Sequence, residues 1–181
     1  MQPALNPLNE LQRLEALIAL DVLDTEPEPE FDALVKAAAA ICNTSISLVS
    51  LIDIDRQWFK ANHGLPGSNQ TPRDNAFCTH AILQDGVFEV PDARRDTHFF
   101  DNPLVIGDPG IRFYAGAPQR LSSGHAIGML CVIDREPRQL SARHGERPVS
   151  GGEVVRAPRQ PGCVDRLAEP QQFRDATEAC R

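Results

Sequence analysis

The chain has 181 residues, 41% of them hydrophobic and 24% charged, with a formal net charge of −7. That length holds one domain with a sizeable core, or one domain plus a tail, and the composition is that of a globular protein. The acidic balance, with a pI near 5.2, argues against nucleic acid or an anionic membrane surface as a partner, and no apolar run approaches the roughly 20 residues of a membrane helix.

The N-terminal stretch MQPALNPLNELQ has no basic region followed by an apolar one, so no signal peptide is read there. Asn6-Pro7 is a cap-and-proline start. Leu8, Leu11, Leu14, Leu17 and Ile18 then recur at helical spacing, predicting a helix that ends near Leu20. Such a stripe ordinarily packs on its own domain; facing a second copy is the alternative. DTEPEP at 24–29 is an acidic connector whose prolines separate two helices. Phe31, Leu34, Val35, Ala38 and Cys42 form the stripe of the second helix, with Cys42 a small buried hydrophobe.

SISLVSLI at 45–52 alternates, with Ile46, Leu48 and Ser50 on one face and Ser47, Val49 and Leu51 on the other. Residues 57–63 read as its hairpin partner, Trp58 and Lys60 sharing one face and Phe59 and Ala61 the other. Residues 64–73 carry loop chemistry, 74–83 a short helix with Phe77, Cys78, Ala81 and Ile82 inward, and 87–90 a short strand. Residues 92–110 form an irregular crossover rich in carboxylates and turn formers. A second hairpin follows: Ile111, Phe113 and Ala115 alternate with Arg112, Tyr114 and Gly116, and Ala126–Ile133 is almost continuously apolar, as a strand buried on both faces is. Gly124 supplies the turn. Gly116 and Gly128 lie inside these strands, where glycine marks a bulge, a ligand or a close backbone. The order helix, helix, hairpin, crossover, hairpin predicts an α+β domain on an antiparallel sheet. Beyond residue 140 the apolar pattern fails, and 141–181 reads as an atypical polar tail, floppy or partly helical.

Five scattered cysteines (Cys42, Cys78, Cys131, Cys163, Cys180), with no CxxC pair, suit reduced thiols in a cytoplasm rather than a disulfide framework or a zinc site. Cys78 and His80 are two apart, so on a helix they point to different sides and Cys78 reads as a structural or pocket-lining residue more readily than a nucleophile. The histidines have no metal spacing, and Asp92, Asp96, Asp101 and Asp108 do not follow a calcium loop. Arg112 and Tyr114 share the polar face of a strand; the arginine needs a partner, either an internal carboxylate such as Asp92 or Asp134 or an anionic ligand. No phosphate loop, nucleophile elbow or acid/base pair is present, so no enzyme is predicted from the motifs, and no cofactor is named by them.

Five blocks in order carry a resemblance: LDVLDTEPEPEFDALV at 20–35, SLVSLIDIDRQWFKANHGL at 47–65, TPRDNAFCTHAI at 71–82, FFDNPLVIGDPGIRFYAGAP at 99–118 and GHAIGMLCVIDREPRQLS at 124–141. The chain resembles a GAF domain of the bacterial subgroup found ahead of sensor histidine kinases and diguanylate cyclases, over about residues 11–140. The resemblance implies a central antiparallel sheet of five or six strands, helices on one face and a ligand-type pocket on the other. By position, Phe77, Cys78, Asp92, Phe99, Asn102, Arg112, Tyr114 and Cys131 are its pocket candidates. It implies domains at 1–140 (GAF) and 141–181 (tail). The family normally continues into a long amphipathic helix, and its replacement by arginine- and glycine-rich sequence suggests a frameshift near 141–148. The motif of the cyclic-nucleotide-binding members is missing, and Thr79 separates the Cys-His pair of bilin-binding members.

The implied function is a stand-alone regulatory domain in signal transduction, binding a small molecule or mediating dimerisation, without catalysis. A homodimer is its expected assembly, with any effector protein acting in trans and neither nucleic acid nor membrane as partner. The alternative is a thiol-based free methionine-(R)-sulfoxide reductase-like enzyme using Cys78 and Cys131. A third reading is a pocket filled by Phe99, Phe100, Phe113 and Tyr114.

Overall fold

A computed structural model of the chain describes residues 5–67 and 69–140. Its frame is a six-stranded sheet of β1 (Ile46–Ile52), β2 (Arg56–His63), β3 (Gln70–Pro72), β4 (Phe88–Val90), β5 (Phe113–Arg120) and β6 (Ala126–Asp134). The spatial order is β3-β2-β1-β6-β5-β4, and every neighbouring pair is antiparallel. β1 and β6 hold the centre and are buried at every position, which is why their sequences run almost wholly apolar. Gly124 closes the β5–β6 turn at φ +85°. This is the α+β architecture the resemblance implies.

Two helices, α1 (Glu10–Ala19) and α2 (Pro29–Cys42), cover one face. Phe31, Val35 and Ala38 of α2 and Leu17 of α1 pack there against Val49, Leu51, Phe113, Ala115, Ile127, Leu130 and Val132. α2 stops at Asn43, whose left-handed conformation (φ +51°) lets Thr44 N–H return to the Ala39 carbonyl. The other face is covered by a 3-10 turn at Arg73–Asn75, by α3 (Phe77–Ala81), by the crossover and by α4 (Pro103–Ile106).

Four local readings are corrected. The loop at 64–73 contains an edge strand, β3, because Gln70–Pro72 pairs with Arg56–Trp58. A bulge in β2 sets Val49 opposite Ala61 but Ser50 opposite Phe59. Lys60 is the extra residue, so Ala61 joins Trp58 on the helix face and Phe59 alone faces the other way. The Lys60 ammonium turns to the connector, pairing with Glu28, donating to Thr25 Oγ1 (2.6 Å) and lying 5.5 Å over the Phe31 ring. The α1 stripe is not the packed face: Leu17 is buried but Leu8, Leu11 and Ile18 are exposed, and Arg13 points inward instead. Cys42 is only half-buried and is disulfide-bonded, so it is not the reduced thiol expected. The tail expected over 141–181 lies outside the described residues.

Candidate functional site

The face opposite α1 and α2 buries the polar side chains of Ser50, Gln57, Thr79 and Asn102. α3 is only five residues long, yet Phe77, Cys78 and Ala81 are all buried, as the sequence predicts. Thr79 Oγ1 donates to the Arg73 carbonyl (2.8 Å) and so ties the helix to the preceding turn. The Phe77 ring stacks on Phe99 (4.2 Å between centroids) and on Tyr114 (5.2 Å), with the Phe88 ring tilted 6.2 Å from both partners. These rings occupy the place where a ligand pocket is expected. What remains is a cavity of about 30 Å3 lined by Gln57, Phe59, Phe77, Cys78, Ile111 and Tyr114 among others, which holds about two water molecules. Of the four aromatics expected to fill it, Phe99 and Tyr114 do so; Phe113 faces the helices and Phe100 is exposed.

At the inner wall of this cavity the Cys78 sulfur meets three donors. Ser50 Oγ lies at 3.3 Å, Gln57 Nε2 at 3.3 Å and the Tyr114 hydroxyl at 3.2 Å. Cys131 of β6 is buried in the same cluster. Burial alone pushes the Cys78 thiol up, but its polar surroundings, Cys131, Ser50, Tyr114 and Gln57, reverse this and hold it below the usual range. The influence of Cys78, together with burial, pushes Cys131 well up, and burial beside the two sulfurs does the same to Tyr114. His80 is not part of this cluster. Its ring sits edge-on to Phe99 at 4.9 Å, burial pushes its pKa down, and its Nε2 has no hydrogen-bond partner among the described residues.

Phe77, Cys78, Phe99, Tyr114 and Cys131 therefore come together. Asn102 stands beside them as a structural element: fully buried, it accepts from Leu104 N–H (2.8 Å) as the cap of α4 and donates to the Asn75 carbonyl (3.0 Å). Asn102→Ala is expected to lower stability by about 1–2 kcal/mol, read as a lower urea midpoint at unchanged slope; an unshifted midpoint would remove this role. Asp92 and Arg112 lie apart from the cavity and pair with each other through two bonds of 2.8 Å, the arrangement with an internal carboxylate. The Arg112 guanidinium holds the Asp92 carboxyl below its usual range.

Sequence reading missed Ser50 and Gln57 as partners of the thiol. Alternation does put Ser50 on the face of Ile46 and Leu48, and a hydroxyl on an otherwise apolar strand face was the available signal. Gln57 gave none, because its burial depends on how β2 lies across α3.

Residues 26–149 match the model of the GAF domain family. The chain belongs to the GAF domain family. It is 48% identical over 132 residues, 73% of this chain, to a cyclic di-GMP phosphodiesterase of Pseudomonas aeruginosa, and spans only 22% of that relative's length. Among solved structures, the chromophore-binding domain of an unusual bacteriophytochrome from R. palustris superposes with a TM-score of 0.58 at 12% identity, covering 97% of this chain and 65% of that one. The phycocyanobilin-bound GAF domain of a cyanobacterial phytochrome gives 0.50 at 16% identity, with 75% and 85% covered. These likenesses establish the shared fold. Among the described residues no helix is long and apolar enough to cross a membrane.

Proposed function

We propose that this GAF domain is a regulatory module of signal transduction that acts without catalysis, by pairing with a second copy of itself through its helical face. The observation that carries the reading is the solvent-facing side of α1. Leu11 and Ile18, both 66% exposed, lie two turns apart on one side of the helix, with Leu8 fully exposed just before it and Ile41 of α2 also exposed. Scattered exposed apolar residues are ordinary, but a stripe of large aliphatics along one helix is the kind of surface a two-fold partner covers. Kinship with part of a cyclic di-GMP phosphodiesterase supports an output on cyclic di-GMP turnover, carried by an effector that the domain is joined to or meets in trans.

A small-molecule ligand is less well supported. Anything larger than about two waters requires Phe77, Phe99 or Tyr114 to swing out of the stack that fills the face. The same restriction weighs against a methionine-sulfoxide reductase: its two thiols would be in place here, but its substrate has about ten non-hydrogen atoms and needs a real pocket. The protein acts in the cytoplasm in this reading, where its effectors would be.

Size-exclusion chromatography with light scattering, paired with native mass spectrometry, tests the reading. A dimer without a bound small molecule is expected, and the double substitution Leu11→Asp, Ile18→Asp should return it to a folded monomer. A wild-type monomer at tens of micromolar would overturn the pairing, and a retained small-molecule adduct would make the domain a ligand sensor instead.

A further inference from the structure

We propose that Cys78 and Cys131 are a peroxide-responsive dithiol, in which a small hydroperoxide entering the cavity oxidises Cys78 and Cys131 closes a disulfide onto it. The inference concerns the input to the domain and does not depend on how the domain associates.

The first observation is the donor set. A neutral thiol is a weak acceptor with its own proton to place, yet three groups converge on the Cys78 sulfur: the Ser50 hydroxyl, the Gln57 amide and the Tyr114 hydroxyl. They come from β1, β2 and β5, so the sheet itself builds the nest. Such an arrangement is what a buried thiolate requires in place of water, and the thiolate is the form that attacks peroxide. The lowered pKa of Cys78 agrees with this geometry.

The second observation is access and size. Cys78 is 1% exposed but lines the cavity, with Gln57 and Tyr114 beside it. Space for about two waters admits hydrogen peroxide, which is little larger than water, and excludes oxidants that carry an alkyl or aryl group. The third is the resolving group. Cys131 of β6 is buried in the same core cluster as Cys78, and among the described residues these two are the free cysteines.

The chemistry balances in two steps. The Cys78 thiolate attacks one peroxide oxygen; the O–O bond breaks, an S–O bond forms, and the departing hydroxide takes a proton to become water. Sulfur has lost two electrons and the peroxide has gained them. The Cys131 sulfur then attacks the Cys78 sulfenic acid; the S–S bond forms, the S–O bond breaks, and the hydroxyl leaves as a second water with the Cys131 proton. Tyr114 and Ser50, which hydrogen-bond to the sulfur, are placed to stabilise the anion and to hand on the proton.

The test uses the whole protein, treated with hydrogen peroxide and analysed by intact mass and peptide mapping under non-reducing conditions. The expected product has lost two hydrogens, carries a Cys78–Cys131 cross-linked peptide and is restored by dithiothreitol. Cumene hydroperoxide should react at least about tenfold more slowly, because the cavity excludes it. In Cys131→Ser the cross-link should be replaced by a sulfenic acid on Cys78, read as the gain of one oxygen in intact mass and trapped by dimedone present during denaturation. Gln57→Leu, which removes a donor without touching either sulfur, should slow the reaction by roughly tenfold. No Cys78–Cys131 peptide at excess peroxide, or equal rates with the bulky hydroperoxide, would overturn the proposal. So would a Cys131→Ser protein whose Cys78 gains no oxygen under the same treatment.

Discussion

Glu10→Gln is expected to destabilise the domain at pH 7 by about 2–3 kcal/mol and to lower its thermal midpoint by roughly 5–10 °C. The reason is the position of two buried arginines. Arg13 is 1% exposed and spends its guanidinium on Glu10 (Nε and Nη2, both 2.8 Å) and on the Ile52 carbonyl (2.7 Å). Arg73, also buried, reaches Glu10 (2.7 Å), the carbonyls of Asp53 (2.9 Å) and Ile54 (3.3 Å), and Asn6 (3.1 Å). One carboxylate therefore neutralises two desolvated cations, and its removal leaves them facing only neutral acceptors. Burial alone would raise the Glu10 pKa, but the bonds and charges of Arg13 and Arg73 carry it from 4.5 down to about 2.

The sign of the pH dependence follows from that depression. The charged form is favoured in the folded state, so its contribution is complete above pH 4.5, the unfolded value, and is lost as pH falls towards about 2, the folded value. The stability difference between wild type and Glu10→Gln should thus shrink across that window and be constant above it. Urea unfolding of both proteins at several pH values measures it; a difference under about 1 kcal/mol at pH 7, or one that does not shrink in acid, would remove Glu10 from this role. The same network joins the two faces of the sheet around its edge. Arg73 leads through its own carbonyl to Thr79 of α3, next to Cys78, while Glu10 and Arg13 belong to the helix that bears the exposed Leu11 and Ile18. Hydrogen bonds from Thr79 through Arg73 to Glu10 thus run from the neighbour of Cys78 to the helix that carries the proposed pairing surface.

How legible this was in the sequence depended on the range of the interactions concerned. The two hairpins were legible because period-two alternation is set locally, and Ile46, Leu48 and Ser50 did fall on one face. The bulge at Lys60 was not, because alternation counts residues and a bulge inserts one. β3 was hidden for a related reason: three residues in a glycine- and proline-rich loop become a strand only when Arg56–Trp58 lie beside them. In α1 the leucine stripe pointed to the wrong face, since Arg13 can be buried once Glu10 and the Ile52 carbonyl satisfy it. The candidate site divided along the same line. Phe77 and Cys78 lay on a short helix whose inward side was readable, whereas Phe99, Tyr114 and Cys131 were candidates only by position in the family resemblance; all five converge, while Arg112, just before β5, found Asp92 instead of the cavity. Ser50 and Gln57 became partners of the thiol through long-range packing that spacing does not encode.

The two strand glycines separate a backbone constraint from a side-chain one. Each was expected to mark a bulge, a ligand or a close backbone; Gly128 does meet a backbone, whereas Gly116 meets two side chains. A Cβ on Gly128 would overlap the carbonyl oxygen of Ser50 and come within 2.9 Å of Leu51 Cδ2. That carbonyl belongs to β1, the strand that pairs with β6, so it cannot move away without breaking the centre of the sheet. Gly128→Ala should therefore destabilise by more than about 3 kcal/mol and leave little folded protein. A Cβ on Gly116 would instead strike the Tyr114 hydroxyl and approach Met129 Cε at 3.1 Å, the ends of side chains. Gly116→Ala should be milder, about 1–3 kcal/mol, because Tyr114 can shift. It should also pull that hydroxyl from the Cys78 sulfur and slow its oxidation. Gly86→Ala is the control: nothing lies within 4 Å and its backbone is not left-handed, so the change should be neutral or slightly stabilising. Chemical denaturation of the three variants should rank them Gly128, Gly116, Gly86. A Gly128→Ala protein as stable as Gly86→Ala would mean that β1 and β6 are not held at the spacing described, and the nest that those strands build around Cys78 would fall with it.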